Sequence, residues 1–106
     1  MSHSISVSLI QQRFSVGAVQ QNCDKILQLA TEAATDLVIF PELTLTGYPP
    51  EDLLFRTDLQ QYVQAALDKI AAAQLPCTLL IGHPWLDGDK LFNAASVIRD
   101  GKLIGR

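Results

Sequence analysis

Residues 36–56 read DLVIFPELTLTGYPPEDLLFR, from Asp36 to Arg56. Leu37 to Phe40 is a short, wholly apolar run, the pattern of a strand covered on both faces. Pro41 has no N–H for a sheet ladder, so the strand is predicted to end there. The next residue is a carboxylate, Glu42, and Thr46 to Pro50 form a turn-rich stretch before a helical pattern resumes. Ligands of parallel α/β sheets bind beyond the carboxyl ends of the strands, which is where Glu42 would stand. Glu42 is therefore either a functional carboxylate or a cap for its loop or the following helix.

Upstream, the near-alternation of Ile5, Val7 and Leu9 with Ser6, Ser8 and Ile10 predicts a first strand, closed by Gln11 and Gln12. Gly17 gives the following loop a flexible point. Asn22 has the chemistry of an N-cap, with Asp24 in the first turn, so a helix is predicted over about 23–34. Its apolar face is Ile26, Leu27, Ala30, Ala33 and Ala34. With the strand at 37–40 this makes a β-α-β unit. Downstream, Thr57 and Gln60 have capping-box spacing for a helix starting at Asp58, after a short helical turn over 51–55. Its buried side would be Leu59, Val63, Ala66, Leu67 and Ile70, and Pro76 ends it. Cys77 to Ile81 reads as a third strand stopped at Gly82 and Pro84. Leu91 to Ile98 is a further strand, with Asp100-Gly101 as a hairpin turn into Leu103-Ile104.

The fold class is thus α/β: β-α-β-α-β followed by a β-hairpin. The chain stops at Gly105-Arg106 with the last strand barely begun. An apolar edge strand without a neighbour is a poor place for a domain to end, so a truncated domain is expected.

Composition narrows the function. A hydrophobic fraction of 48% against 18% charged residues excludes a disordered chain. Eight scattered basic residues and a net charge of −3 argue against nucleic-acid binding, which needs clustered Lys and Arg. No signal peptide or membrane-length apolar run is present, so a cytoplasmic protein is expected. Cys23 and Cys77 are distant and His3 and His83 isolated, so neither a metal site nor a disulfide is indicated. Cys23 reads as structural or surface, with no base in sequence reach, and Cys77 as core, at the entry end of its strand, opposite the edge where active sites assemble. No serine lies in a G-x-S-x-G turn, and no glycine-rich phosphate loop occurs. Tyr48 could donate to a substrate or simply cover a sheet edge with its ring. Asp52 and Glu51 suit a helix amino end, and Asn93, inside a strand, would bond nearby backbone if buried.

FPELTLTGYPPEDLLFR resembles the glutamate-bearing motif of the nitrilase, or carbon–nitrogen hydrolase, superfamily. Its continuation Tyr48-Pro49-Pro50-Glu51-Asp52-Leu53-Leu54 is similar to the glutamine amidase domains of glutamine-dependent NAD synthetases within that superfamily. Gln11, Gly17 and Asn22 match the opening of those domains, and Leu91 to Ala95 with Asp100-Gly101-Lys102 their central hairpin. Ala18, commonly acidic in the family, and Phe92, often tyrosine, depart from the pattern. The resemblance implies a nitrilase-like α-β-β-α sandwich, incomplete here, occupying residues 1–106. It implies Glu42 as general base of a Glu-Lys-Cys triad, with Tyr48 supporting the substrate pocket. The lysine and nucleophilic cysteine would fall after Arg106; Lys102 belongs to the hairpin turn and neither cysteine matches the nucleophile. Glutamine is the implied substrate and ammonia the product passed to a synthetase domain. ATP and magnesium are implied for that domain, with no cofactor in this chain, and a homo-oligomer is implied. The isolated chain is expected to be inactive. Another nitrilase-family amidase or carbamoylase, and a non-catalytic α/β binding module, are the alternative readings.

Overall fold

Five strands lie side by side in the order in which the chain makes them, β1-β2-β3-β4-β5. The computed structural model describes residues 4–47 and 58–106. The elements are β1 (Val7–Leu9), α1 (Val19–Ala33), β2 (Leu37–Ile39), α2 (Leu59–Ala72), β3 (Thr78–Asp87), β4 (Lys90–Arg99) and β5 (Lys102–Gly105). β1, β2 and β3 are parallel neighbours, while β4 and β5 are added antiparallel. The chain is α/β, as its sequence pattern predicts.

Two successive crossovers step the same way across the sheet. Crossovers of one hand then lie on one face, and α1 and α2 do pack against each other. The strand register separates the two faces. Val38, Leu79 and Ile98 are cross-strand partners and all are buried. They meet Ile26 and Ala30 of α1 and Val63, Ala66, Leu67 and Ile70 of α2 in one core. One residue along, Leu9, Ile39, Leu80 and Val97 form the row on the other face. None of these four is buried. The expectation that β2 is covered on both faces is therefore corrected: within this chain the helices cover one.

The face of α2 agrees residue for residue with its helical periodicity. α1 does not begin where expected. It starts at Val19 after Ala18, without a side-chain cap, so Asn22 is its fourth residue rather than its cap. Asp24 leaves the first turn for an exposed ion pair with Lys69 of α2, 2.7 Å apart, and Ala34 falls outside the helix and is exposed. The third strand also runs further than expected, through Gly82 and Pro84 to Asp87. Beyond Leu80, the last partner of β2, β3 has one strand neighbour, β4, so a proline is tolerated there. The helical turn expected over 51–55, the cap at Thr57 and the side chain of Tyr48 lie outside the described residues. Among the described residues no helix is long and apolar enough to cross a membrane.

Candidate active site

Glu42 follows β2 at its carboxyl end, in a loop fixed from three sides. Phe40 continues the ladder by donating its N–H to Leu80 at 2.9 Å. Leu45 N–H donates to the Gly82 carbonyl (3.3 Å), and Gly17 N–H to the Thr46 carbonyl (2.9 Å). The Thr44 hydroxyl donates to the Pro41 carbonyl, and Leu43 takes a left-handed φ of 52°. Buried Asn22 completes the anchorage. Its amide nitrogen donates to the carbonyls of Leu45 (3.0 Å) and Ser15 (2.7 Å), and its oxygen accepts from Ser15 N–H (3.0 Å). Leu43 to Gly47 are all buried, whereas Glu42 is exposed. The loop's apolar residues root it in the fold and turn one carboxylate outward.

That carboxylate has one side-chain partner among the described residues. Asn93 of β4 donates Nδ2 to Oε1 of Glu42 at 2.6 Å. Glu42 borders two recesses: one of about 240 Å³ shared with Leu80, Gly82, Asn93 and Ala95, the other of about 200 Å³ shared with Arg13, Phe14 and Thr44. A further recess of about 360 Å³ opens at the amino ends of α1 and α2, where only Asp58 and Tyr62 of its lining titrate. The chemistry of the described residues concentrates at Glu42.

The other reactive side chains are elsewhere. Cys23 is buried under α2, its thiol 3.6 Å from the Ala66 carbonyl. Burial pushes its pKa up, partly opposed by the nearby Lys69 charge and reinforced by Asp24. Cys77 is half-buried just before β3, and burial raises its thiol pKa too. Both therefore hold less thiolate than free cysteine at a given pH. We expect iodoacetamide to leave Cys23 unmodified in the native protein and to label it fully in denaturant; peptide mass mapping reads the difference, and native labelling at the denatured rate would refute this. Lys102 pairs with Arg99, six β4 positions from Asn93, which is roughly 20 Å at ~3.3 Å per residue. It is remote from Glu42.

His83, isolated in the sequence, is fully buried in a small network. Its Nδ1 lies 2.9 Å from the Pro84 carbonyl, which only accepts, so the proton is on Nδ1. Nε2 then accepts from the Ser96 hydroxyl at 2.6 Å, and Ser96 accepts from Arg106 Nε at 3.2 Å. Burial lowers the imidazole pKa, opposed by the Pro84 bond and helped by the Arg106 charge. The Arg106 guanidinium also lies 3.6 Å over the Trp85 ring. The end of β5 is thereby tied to the middle of β3 and β4.

Sequence reasoning singled out Glu42 and its place at a strand end. It missed the Asn93 contact, for which the one signal was an amide side chain among the mostly apolar residues of a strand.

Residues 6–106 match the sequence pattern of the carbon-nitrogen hydrolase family. The chain is similar to the glutamine-dependent NAD(+) synthetase of Xanthomonas campestris pv. campestris (strain 8004), at 41% identity over 96% of this chain and 19% of that protein. The corresponding enzyme of Aquifex aeolicus (strain VF5) is 35% identical over 95% of the chain and 18% of its own length. The chain thus spans about a fifth of the length of these curated relatives. Among solved structures, the glutamine-dependent NAD+ synthetase of Acinetobacter baumannii superposes with a TM-score of 0.88 at 33% identity, over 93% of this chain and 19% of that one. An amidase from Nesterenkonia sp. shares the fold with a TM-score of 0.77 at 22% identity, over 93% of this chain and 40% of its own.

Proposed function

Because this chain belongs to the carbon–nitrogen hydrolase family, we propose that it is the N-terminal part of a glutamine amidase domain supplying ammonia for NAD synthesis. The observation that carries the reading is the Glu42 carboxylate. It projects from a rigid loop at the carboxyl end of a parallel strand, beside two recesses, in a chain 41% identical to a glutamine-dependent NAD(+) synthetase.

In this reading Glu42 is the general base. It takes the proton of a cysteine thiol supplied by residues after Arg106, and the thiolate attacks the side-chain carbonyl of glutamine. The C–N bond breaks, the proton leaves with the amine as ammonia, and a glutamyl thioester remains. Water, deprotonated by the same carboxylate, then cleaves the thioester to glutamate and regenerates the thiol. A lysine completes the triad by stabilising the oxyanion. The direction of β5 supports this: it runs antiparallel to β4, toward the Asn93 end. In the proposed longer protein, residues following Arg106 would then enter from the Asn93 end of the sheet. Tyr48 contributes to the glutamine pocket.

ATP and magnesium serve the synthetase domain that consumes the ammonia. Among the described residues no three His, Cys, Asp or Glu side chains converge on one position, and no step in this reading is routed through a metal. The complete protein would work as a cytoplasmic homo-oligomer.

Two measurements test the proposal. An antibody to this region should capture, from source cells, a species several times larger than 11.6 kDa. The purified 106-residue chain should release no ammonia from glutamine above the uncatalysed rate, since triad members act as a unit. A native mass of 11.6 kDa, or enzyme-dependent ammonia release by the isolated chain, would overturn it.

A further inference from the structure

Asparagine is a poor strand residue, yet Asn93 stands inside β4 on the open face of the sheet, aligned with Leu91, Ala95 and Val97. Across the ladder it pairs with Pro84, which has no N–H to offer. Its side-chain amide donates to Glu42, a separation of 51 residues in the chain. Both side chains are exposed. Burial does not force them together, and an exposed polar pair adds little to folding. The contact defines the position of the carboxylate rather than the stability of the sheet.

We infer that Asn93 is the positioning residue for Glu42, holding the carboxylate in one orientation through both of its protonation states; this rests on the proposed role of Glu42 as base. An ionised carboxylate only accepts, so the Asn93 amide nitrogen donates to Oε1 and leaves Oε2 to handle the proton. When Glu42 carries a proton, half a turn of the Asn93 amide presents its carbonyl oxygen, which accepts from the carboxylic acid. A cation at the same place would favour the ionised state alone and resist proton transfer. A second carboxylate would repel it. A neutral amide, donor on one edge and acceptor on the other, suits a group that must gain and lose a proton in each cycle.

The test uses the full-length protein that carries this chain. Asn93→Ala is expected to lower kcat for glutamine hydrolysis roughly tenfold, with KM and Tm nearly unchanged, because the base is displaced and not removed. Asn93→Asp, identical in shape, should be worse, on the order of 10²-fold down at about pH 8. A merely structural Asn93 predicts the reverse order, with the isosteric variant the better enzyme. Glu42→Gln in the same assay separates the two ideas. If Glu42→Gln retains wild-type activity, the base assignment falls and takes this inference with it. If Glu42→Gln is inactive while Asn93→Ala keeps wild-type kcat, or Asn93→Asp outperforms Asn93→Ala, the base assignment stands and the positioning role is overturned.

Discussion

Glu42→Gln in the full-length protein is expected to reduce glutamine hydrolysis by at least about 10³-fold, within the range a general base supplies. The substitution is nearly isosteric, and the new amide oxygen can still accept from Asn93 Nδ2. Glu42 is also exposed and bears none of the core, so Tm should stay within about 2 °C of wild type. What is lost is the ability to remove a proton from the thiol. The effect should divide cleanly by nitrogen source. Glutamine-dependent NAD formation should fall with the hydrolysis rate, whereas NAD formation fed by an ammonium salt should persist, because in the proposed amidase–synthetase a separate domain would consume the ammonia. The measurements are ammonia release and NAD formation with each source. Glutamine-dependent activity within threefold of wild type would remove Glu42 from the chemistry. Equal loss from both sources would point to damage beyond the amidase.

The sequence made the centre of the molecule readable for a physical reason. The apolar run Leu37 to Phe40 marks a strand even though the helices cover only one of its faces, Pro41 has one thing it cannot do, and α2 buries the residues its period selects. These are local constraints, and local constraints are visible in a chain. The expectations that failed depend on partners distant in sequence. Asn22 carries the chemistry of an N-cap, but its amide is satisfied by Ser15 and Leu45, so the helix begins a turn earlier around it. Gly82 and Pro84 look like strand terminators, and would be in a strand flanked on both sides. They persist in β3 because β2 has already ended and β4 alone continues beside it. Asn93 is the instructive case for the site. Its strand position is legible and its partner is not, since the partner is 51 residues away and reached only once the sheet order is known.

Gly82 is where that sheet order presses hardest on the site, and Gly82→Ala should show it. A Cβ there would stand 2.6 Å from the Leu43 nitrogen, 2.7 Å from the Pro41 oxygen and 3.0 Å from the Glu42 Cα. All three are backbone atoms, so no rotamer change relieves the overlap. The constraint is space, unlike at Gly47, whose φ of +75° adds backbone strain to contacts of 2.7 Å with Val16. Either β3 shifts within a sheet it shares with β2 and β4, or the 41–47 loop lifts away. The loop is the softer of the two. Lifting it breaks the 3.3 Å Leu45–Gly82 hydrogen bond and draws Glu42 from the Asn93 amide. Overpacking of this kind costs about 1–3 kcal/mol, and backbone neighbours place Gly82→Ala at the upper end. A displacement of about 1 Å at a catalytic group costs on the order of 10²-fold in rate. We therefore expect Gly82→Ala to lower Tm by several degrees and to reduce glutamine hydrolysis on the order of 10²-fold, with ammonium-fed NAD formation much less affected. Gly105→Ala is the control: its Cβ would meet nothing within 4 Å, so it should shift stability by no more than about 0.5 kcal/mol. Thermal unfolding and the paired nitrogen-source assays decide the matter. If Gly82→Ala behaves like Gly105→Ala in both, the loop is softer than its hydrogen bonds imply, and the rigid presentation of Glu42 is not what the fold provides.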